Sequence, residues 1–499
     1  MFKKLLSETV IYGGTTILTR LVSYALVPLH TGVFKVDDYG IVSLFFTYIV
    51  FFNVVYTYGM ETAFFRFSNL KGENKEKVFN QIMTSLLFTS VLFSGIGIYF
   101  SQNIAEALGY SNAQHYVVWI FMLIAIDAIV SVPFAKLRLE KKATLFASYK
   151  IVNVLIMFGL NYFFLLTCPS ILKGESFSSL KPFVESFYDP NLGYGYVFLA
   201  NLIANSTYLL MFVKDWLRLK FVYDKELYSK ILNYGLPLVI SGLAFAVNEV
   251  ADRQLLFSWL PDGFYAEGDG EYAVGVYSAC YKLSIFITMS VMAFKYAAEP
   301  FFFARAGEKN SKNQLSIIMR YFVIVLAMMY VGILANVDWI APILIRKPEY
   351  LVGLNVVPIL LMANIFLGIY YNLAIWYKLT DKTRYGAVIS TIGALITISI
   401  NFILIPKYGY FGSAIATFSA YGSMMVISYL LGQKHYPVPY TTKNSLIHLF
   451  VAVVLGYVCF FEISAGTLGL ILKNGIVAVY ILGTLFIEKK KLQNLQISN

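Results

Sequence analysis

Arg20 lies near the centre of the apolar run 5–33 and has no acidic residue three or four positions away. A charge at the middle of a membrane helix costs roughly 2.5 to 3.5 kcal/mol on insertion scales, so such a residue needs a reason. At 100° per residue, Thr9, Gly13, Thr16, Tyr24 and Thr31 share its face to within about 40°. A second run, 231–260, aligns Tyr234, Ser241, Asn248 and Asp252 and holds three charges within NEVADRQLL: Glu249, Asp252 and Arg253. A third, 272–302, aligns Tyr277, Tyr281, Ser284, Thr288, Lys295 and Glu299. Polar seams at membrane depth must face protein or water. The planar guanidinium fork suits phosphate oxygens, and hydroxyls suit a polyol. Arg20, Lys295, Thr16, Tyr24, Tyr281 and Thr288 are therefore the candidate binding groups of a cationic cavity that prefers an anion.

The other charges carry quieter readings. Glu249 and Arg253 stand i,i+4 with the acid first, the favourable order for a structural ion pair, and Lys295 with Glu299 repeats it. Asp252, with Asn248 on its face, is a candidate for gating or ion coupling at the outer mouth. Asp127 shares a face with Ser131 and Arg138 and stands between a helix-packing role and a coupling role. Lys150, one turn inside its helix, is expected to snorkel to the membrane surface. Cys168, Cys280 and Cys459 and the four histidines are scattered without ligand spacing, so neither a disulfide framework, a metal site nor a cofactor is expected.

The elements that must position these groups follow from composition. Of 499 residues, 58% are hydrophobic and 13% charged, far from a soluble domain of this length. Apolar runs long enough for a hydrocarbon core about 30 Å thick predict an all-α polytopic membrane protein of fourteen spans: approximately 6–32, 39–64, 80–102, 114–135, 145–167, 193–214, 228–259, 272–302, 314–336, 352–378, 386–406, 410–432, 446–463 and 468–487. The first run is of full spanning length and lacks a cleavage-site pattern, so it is expected to stay in the mature chain.

Lysine and arginine crowd alternate loops, as in Lys136, Arg138, Lys141 and Lys142, or Lys214, Arg218, Lys220, Lys225 and Lys230. That asymmetry places both termini in the cytoplasm. The net charge of +11 is then topological, and a nucleic-acid partner is not expected. Correspondences between VIYGG (10–14) and LNYGLP (232–237), between ETAFFRFSNLKGENKE (61–76) and EPFFFARAGEKNSKN (299–313), and between NYFFLL…GYGYVFLANLIANS (161–206) and NFILIPKYGYFGSAIATFSA (401–420) indicate a repeat after six helices. Six is even, so the halves share one orientation. The expected plan is a lobe over 1–222, a like-oriented lobe over 223–437, and two further helices with a cytoplasmic tail over 438–499, a transporter arrangement.

The stretches YGGTTILTRLVSYALVPLHTGVFKVDDYGIVSLFFTY (12–48), DRQLL, YSACYKLS (277–284) and NFILIPKYGYFGSAIATFSAYG (401–422) resemble the polysaccharide biosynthesis exporters. These are the O-antigen and capsule flippases of the multidrug, oligosaccharidyl-lipid and polysaccharide exporter superfamily. The resemblance implies a bacterial inner-membrane carrier that passes an undecaprenyl-diphosphate-linked oligosaccharide to the periplasmic leaflet and makes no covalent bond, so it is not an enzyme. Its partners would be that polyprenyl-diphosphate-linked oligosaccharide, the bilayer, a polysaccharide polymerase and glycosyltransferases. Arg20 occupies the first-helix position where members often carry a basic residue. Two rivals remain: a drug/cation antiporter of the same superfamily, normally with twelve helices and an acidic cavity, and a membrane-embedded polysaccharide polymerase or ligase, for which loop 168–192 is short.

Overall fold

The computed structural model describes residues 2–70, 74–110, 113–304, 310–380 and 382–497, with side chains from 11 onward except 297, 299–300, 303–304 and 491–497. The described chain is helical, without strands beyond one isolated bridge between Tyr265 and Gly268. Helix is what a bilayer imposes, because it satisfies every backbone polar group within the segment. Among the described residues, twelve helical stretches are long and apolar enough to cross a membrane. The segments of the other two expected spans are helical but do not count among these twelve. The first is broken at Ala25–Leu26, just ahead of Pro28, and the sixth, Gly195–Met211, has 17 residues.

The chain divides into two compact units, Met1–Gly275 and Val276–Asn499. The first contains α1 (Phe2–Tyr24), α2 (Val27–Val33), α3 (Val36–Thr57), α4 (Met60–Ser68), α5 (Lys75–Tyr99), α6 (Ser101–Ala107), α7 (Gln114–Leu139), α8 (Ala143–Tyr162), α9 (Cys168–Leu172), α10 (Lys181–Glu185), α11 (Gly195–Met211), α12 (Val213–Arg218) and α13 (Lys225–Trp259). Its core around Met60, Phe64, Ile82, Met83, Val132 and Ile231 joins α4, α5, α7 and α13. Helix α13, expected to open the second lobe, is thus packed into the first unit. Part of the cause is local. The link from α12 to α13 runs along α5, where Lys220, Val222 and Asp224 donate their backbone N–H groups to Asn80 Oδ1 (3.3 Å), Thr84 Oγ1 (3.3 Å) and Gln81 Oε1 (2.6 Å). Close approach of α13 to the α3–α4 turn then needs glycine on both sides. A Cβ on Gly235 would lie 2.8 Å from the Tyr58 carbonyl, and Gly59 holds φ +75°.

The second unit contains α14 (Gly270–Tyr281, from Val276), α15 (Ile285–Ala304), α16 (Ser311–Ala335), α17 (Val337–Leu344), α18 (Val357–Leu373), α19 (Ile375–Leu379), α20 (Arg384–Tyr408), α21 (Tyr410–His435), α22 (Thr442–Tyr457) and α23 (Thr467–Ile497). The last two spans bury only 22% and 17% of their apolar windows, so apolar packing alone holds them weakly. Charges supply the rest. Arg320 of α16 pairs with Glu488 of α23, and His448 Nε2 of α22 lies 3.6 Å from the same carboxylate. Toward the other end, Lys473 of α23, 2% exposed, reaches Asp338 of α17 at 2.6 Å. The terminal helices are therefore pinned to the α16–α17 segment at two heights.

Two predictions follow from this bonding. Removing one partner from a buried pair costs about 3–5 kcal/mol, and because the Asp338 side chain is 35% exposed the lower end applies. Lys473→Met should leave Asp338 free to hydrate and lower the melting temperature of purified protein by a few degrees, while Asp338→Leu should strand the buried ammonium and cost more. Equal, negligible effects would show that the pair holds nothing. At the cytoplasm-expected end, Asp224 caps α13 and meets Lys77 at 2.6 Å. The Lys77 ammonium, followed by the Leu227 backbone N–H, holds its carboxyl below the usual value. A depressed folded-state pKa contributes stability that is full above the ordinary carboxylate range and is lost as pH falls through the lowered value. The melting difference between the native chain and Asp224→Asn should accordingly be small and positive at neutral pH and vanish in strong acid.

Candidate functional site

The first-helix seam explains how hydroxyls survive at membrane depth. Thr15, Thr16, Thr19 and Ser23 donate to the carbonyls four residues earlier, at 2.7, 2.9, 3.0 and 2.9 Å, so their protons are satisfied within α1; Thr15 is buried, while Thr16 and Ser23, nearest to Arg20's face, keep oxygen lone pairs for a ligand. Arg20 on that seam is exposed and has no ion-pair partner among the described residues. One turn on, Tyr24 lies within electrostatic reach of Arg20 and, from α13, of Arg253 and Glu249. The first unit therefore gathers Arg20, Tyr24, Glu249 and Arg253.

The pairing within NEVADRQLL differs from the i,i+4 expectation. Arg253 Nη1 donates to Asp252 Oδ1 at 2.9 Å and to the backbone carbonyl of Glu249 at 3.2 Å, and the Glu249 carboxylate is exposed. Asp252 also accepts the Arg253 backbone N–H at 2.9 Å and is 3% exposed, with Asn248 beside it on the helix at 5%. The i,i+4 rule fails here because a short aspartate side chain folds back over its own neighbour, which side-chain spacing does not anticipate. Asp252, expected at an outer mouth, is instead buried and engaged.

Asp127 of α7 accepts from Asn205 Nδ2 of α11 at 2.7 Å, and Asn205 Oδ1 accepts from Asn153 Nδ2 of α8 at 3.0 Å. Lys150 does not run out to the surface. Its Nζ lies 4.1 Å from the Phe134 ring centroid and 5.0 Å from that of Tyr208, in the field of Asp127. This carboxylate–amide–ammonium cluster joins three helices. Sequence reasoning singled out Asp127 and missed Asn153 and Asn205, since neutral amides in apolar runs carry no pairing signal. Arg138, expected on Asp127's face, pairs instead with Glu61 of α4.

The second unit holds the remaining candidates. Lys295 Nζ of α15 lies 4.5 Å over the Tyr371 ring of α18, while the Glu299 side chain lies outside the described residues. Thr288 donates to the Ser284 carbonyl at 3.0 Å and to Asn364 Oδ1 of α18 at 3.3 Å, a helix-packing contact. Tyr281 meets Tyr277 edge-on at 6.0 Å. Two almost wholly apolar cavities of about 410 and 570 Å³ lie among α16, α18, α21 and α22 and share Phe366, Leu446 and Leu449. No group of three or more potential metal ligands occurs among the described residues.

Seams of hydroxyl and cationic groups on long apolar helices mark this as a polytopic membrane protein with polar groups at membrane depth. Residues 260–403 match the MatE family model and residues 33–170 the model described as polysaccharide biosynthesis protein. Among solved structures, the inward closed conformation of the lipid II flippase MurJ is similar at TM-score 0.71 and 15% identity, over 97% of this chain and 99% of that one. An inward-facing multidrug-resistance MATE transporter follows at TM-score 0.63 and 15% identity, over 83% and 94%. A transporter from Pyrococcus furiosus, described by the reversed polarity of its binding pocket, matches at 0.54 and 13%, over 86% and 94%. No curated protein sequence matches. The two family models thus match different parts of the chain, and the fold is similar to that of the MurJ flippase and the MATE transporters.

The Arg253 pairing is directly testable by thermal unfolding of purified variants. Glu249→Gln should change stability by no more than about 0.5 kcal/mol. Asp252→Ala should destabilise by about 3 kcal/mol because it removes a carboxylate from a largely buried guanidinium, and adding Arg253→Met should recover much of that loss. A Glu249→Gln variant as unstable as Asp252→Ala would restore the i,i+4 pair.

Proposed function

We propose that this protein is a flippase of the bacterial inner membrane, with both termini cytoplasmic, that moves a polyprenyl-diphosphate-linked oligosaccharide between leaflets for surface polysaccharide synthesis. The observation that carries the reading is Arg20: an exposed guanidinium on a hydroxyl-lined helix face, with no ion-pair partner among the described residues. A group so costly at that depth is suited to a diphosphate, whose oxygens match its fork. Lys295 is the second cation proposed for the same anion. Thr16, Tyr24, Tyr281 and Thr288 are the proposed hydroxyl contacts, with Asp252, Asn248 and Asp127 as the proposed gating or coupling groups. The apolar cavities of the second unit suit a prenyl chain. The match to the polysaccharide biosynthesis model over 33–170 supports the same substrate class. A lobe over 1–222, a second over 223–437 and the helices of 438–499 would rock about the site to alternate its access.

The MatE match over 260–403 favours a second reading, a drug/cation antiporter. Lipid extraction separates the two. Loss of a flippase accumulates the complete lipid-linked repeat unit on the cytoplasmic side, whereas loss of a drug exporter leaves lipid-linked intermediates unchanged and raises drug sensitivity. Arg20→Ala should abolish glycan export with the protein still in the membrane, and Arg20→Lys should restore part of it, since a point charge replaces the bidentate fork. Normal export by Arg20→Ala at native abundance would remove Arg20 from the mechanism.

A further inference from the structure

A pocket of about 440 Å³ lies within the first unit, where the turn after α6 and the start of α7 meet the segment leading into α11. Its size is that of a small-molecule site, roughly 300–1,000 Å³. Its mixed polar and apolar lining sets it apart from the two apolar cavities of the second unit. We propose that this pocket, formed chiefly by Tyr110, His115, Tyr116, Asp189, Asn191 and Tyr194, binds one neutral or amino-sugar unit of a glycan. The inference rests on the flippase reading for its orientation: with both termini cytoplasmic, this end of the unit faces outward, where the translocated glycan emerges.

The floor is aromatic and fixed. Tyr116 is 6% exposed, its hydroxyl donates to the Leu192 carbonyl at 2.9 Å, and its ring lies 5.3 Å from Tyr194 and 4.1 Å from His115. Gly195 makes room for it, because a Cβ there would lie 2.2 Å from Tyr116 Cε1. Tyr110 is anchored by donating to Glu271 Oε1 at 3.0 Å. Rings held in this way offer flat apolar faces to the C–H side of a pyranose without losing rotamer freedom on binding.

The rim is polar and pre-oriented. Asp189 Oδ1 accepts both the backbone N–H and the side-chain Nδ2 of Asn191, at 2.9 and 3.0 Å, which points the Asn191 carboxamide by its nitrogen and leaves its oxygen to accept. Neither the Asn191 Oδ1, the Asp189 Oδ2 nor the Tyr194 hydroxyl has a hydrogen-bond partner among the described residues, and His115 Nε2 is buried without one. Of these only His115 Nε2 is buried, and a buried polar atom is normally satisfied; the others are accessible, and sugar hydroxyls, which donate and accept, match the set.

Charge selects among sugars. Among the described residues no lysine or arginine lines the pocket, while Asp38 and Asp189 act on Tyr116, and Asp38 and Glu271 on Tyr194. An anionic glycan unit would be repelled here, and a neutral or protonated amino sugar would not. The same field separates this pocket from the cationic seam of Arg20, so the two would read different parts of one substrate.

The test is saturation-transfer NMR on the full-length protein in lipid nanodiscs, with methyl β-glucoside, methyl β-galactoside, methyl β-N-acetylglucosaminide and, as the acidic comparison, glucuronate. At least one neutral sugar should receive saturation and glucuronate none. Tyr194→Phe and Asn191→Ala, both at accessible positions that leave the melting temperature unchanged, should each weaken binding roughly three- to tenfold, the loss of one hydrogen bond. Asp189→Asn should admit glucuronate. Absence of transfer from all three neutral sugars, or equal affinities in native and variant proteins, overturns the site. Because binding is read without transport, it is separable from the flippase reading. A silent pocket in a protein whose deletion accumulates lipid-linked glycan sinks the pocket alone. Sugar binding in a protein whose deletion accumulates none sinks the flippase reading and leaves a saccharide site.

Discussion

Hydrocarbon offers no hydrogen bonds, and most of what is particular to this structure answers that single constraint. The backbone answers it by being helical. The hydroxyls of α1 answer it by bonding back to their own helix, so that Thr15, Thr16, Thr19 and Ser23 need no partner elsewhere. Amides and carboxylates answer it across helices, as Asp127, Asn205 and Asn153 do in a ladder that joins α7, α11 and α8. Ammonium groups answer it by lying over aromatic faces, as Lys150 does between Phe134 and Tyr208 and Lys295 does over Tyr371. Arg20 gains its functional weight by contrast with these: it is a charge on a polar seam for which the described residues supply no ion-pair partner.

The parts of the fold that depend on composition were readable in the sequence. Apolar runs bounded by basic breaks mark the helices because hydropathy acts residue by residue. Interactions between segments were less readable. The Asp252–Arg253 contact escaped because adjacent residues on a helix point apart, and only the short Asp side chain turning back along the backbone brings them together. Asn153 and Asn205 escaped because an amide in an apolar run pairs with whatever lies opposite, and no spacing rule says what does. Lys473 does carry a signal: a lysine in the middle of TLGLILKNGIVAVY is as costly as Arg20 and implies a partner, which is Asp338. The expected boundary at 222/223 was drawn from an internal repeat, whereas compactness follows contacts. The link 219–224 is bonded along α5, and α13 follows it into the first unit.

The terminal helices show the same physics turned to a different end. α22 and α23 bury little apolar surface, and between lipid tails and leucine side chains there is no hydrophobic force to drive them inward. Their attachment therefore depends on the few polar groups that hydrocarbon would penalise: Arg320, His448 and Glu488 at one height, Lys473 and Asp338 at the other. The wall they help to form can then stay smooth and apolar, as the cavities lined by Phe366, Leu446 and Leu449 are. A chain that had packed these helices by interlocking side chains would have filled that space.

The amphipathic substrate proposed above would need both kinds of surface. Its prenyl chain would stay in hydrocarbon throughout, and an apolar groove would ask of it only shape. Its diphosphate and sugars would have to pass a medium that solvates neither, and each charge would cost several kcal/mol there without a counter-charge and hydrogen bonds. Groups fully satisfied by the protein itself cannot serve, because every bond to substrate would first break an internal one. The useful residue is one whose cost has been met by folding but whose bonding capacity has not been used. By that criterion Arg20, with hydroxyl lone pairs on the same face, is a better candidate than the more numerous charges that the structure already pairs, and Asp252, engaged by Arg253, is a weaker one than its position in the sequence promised.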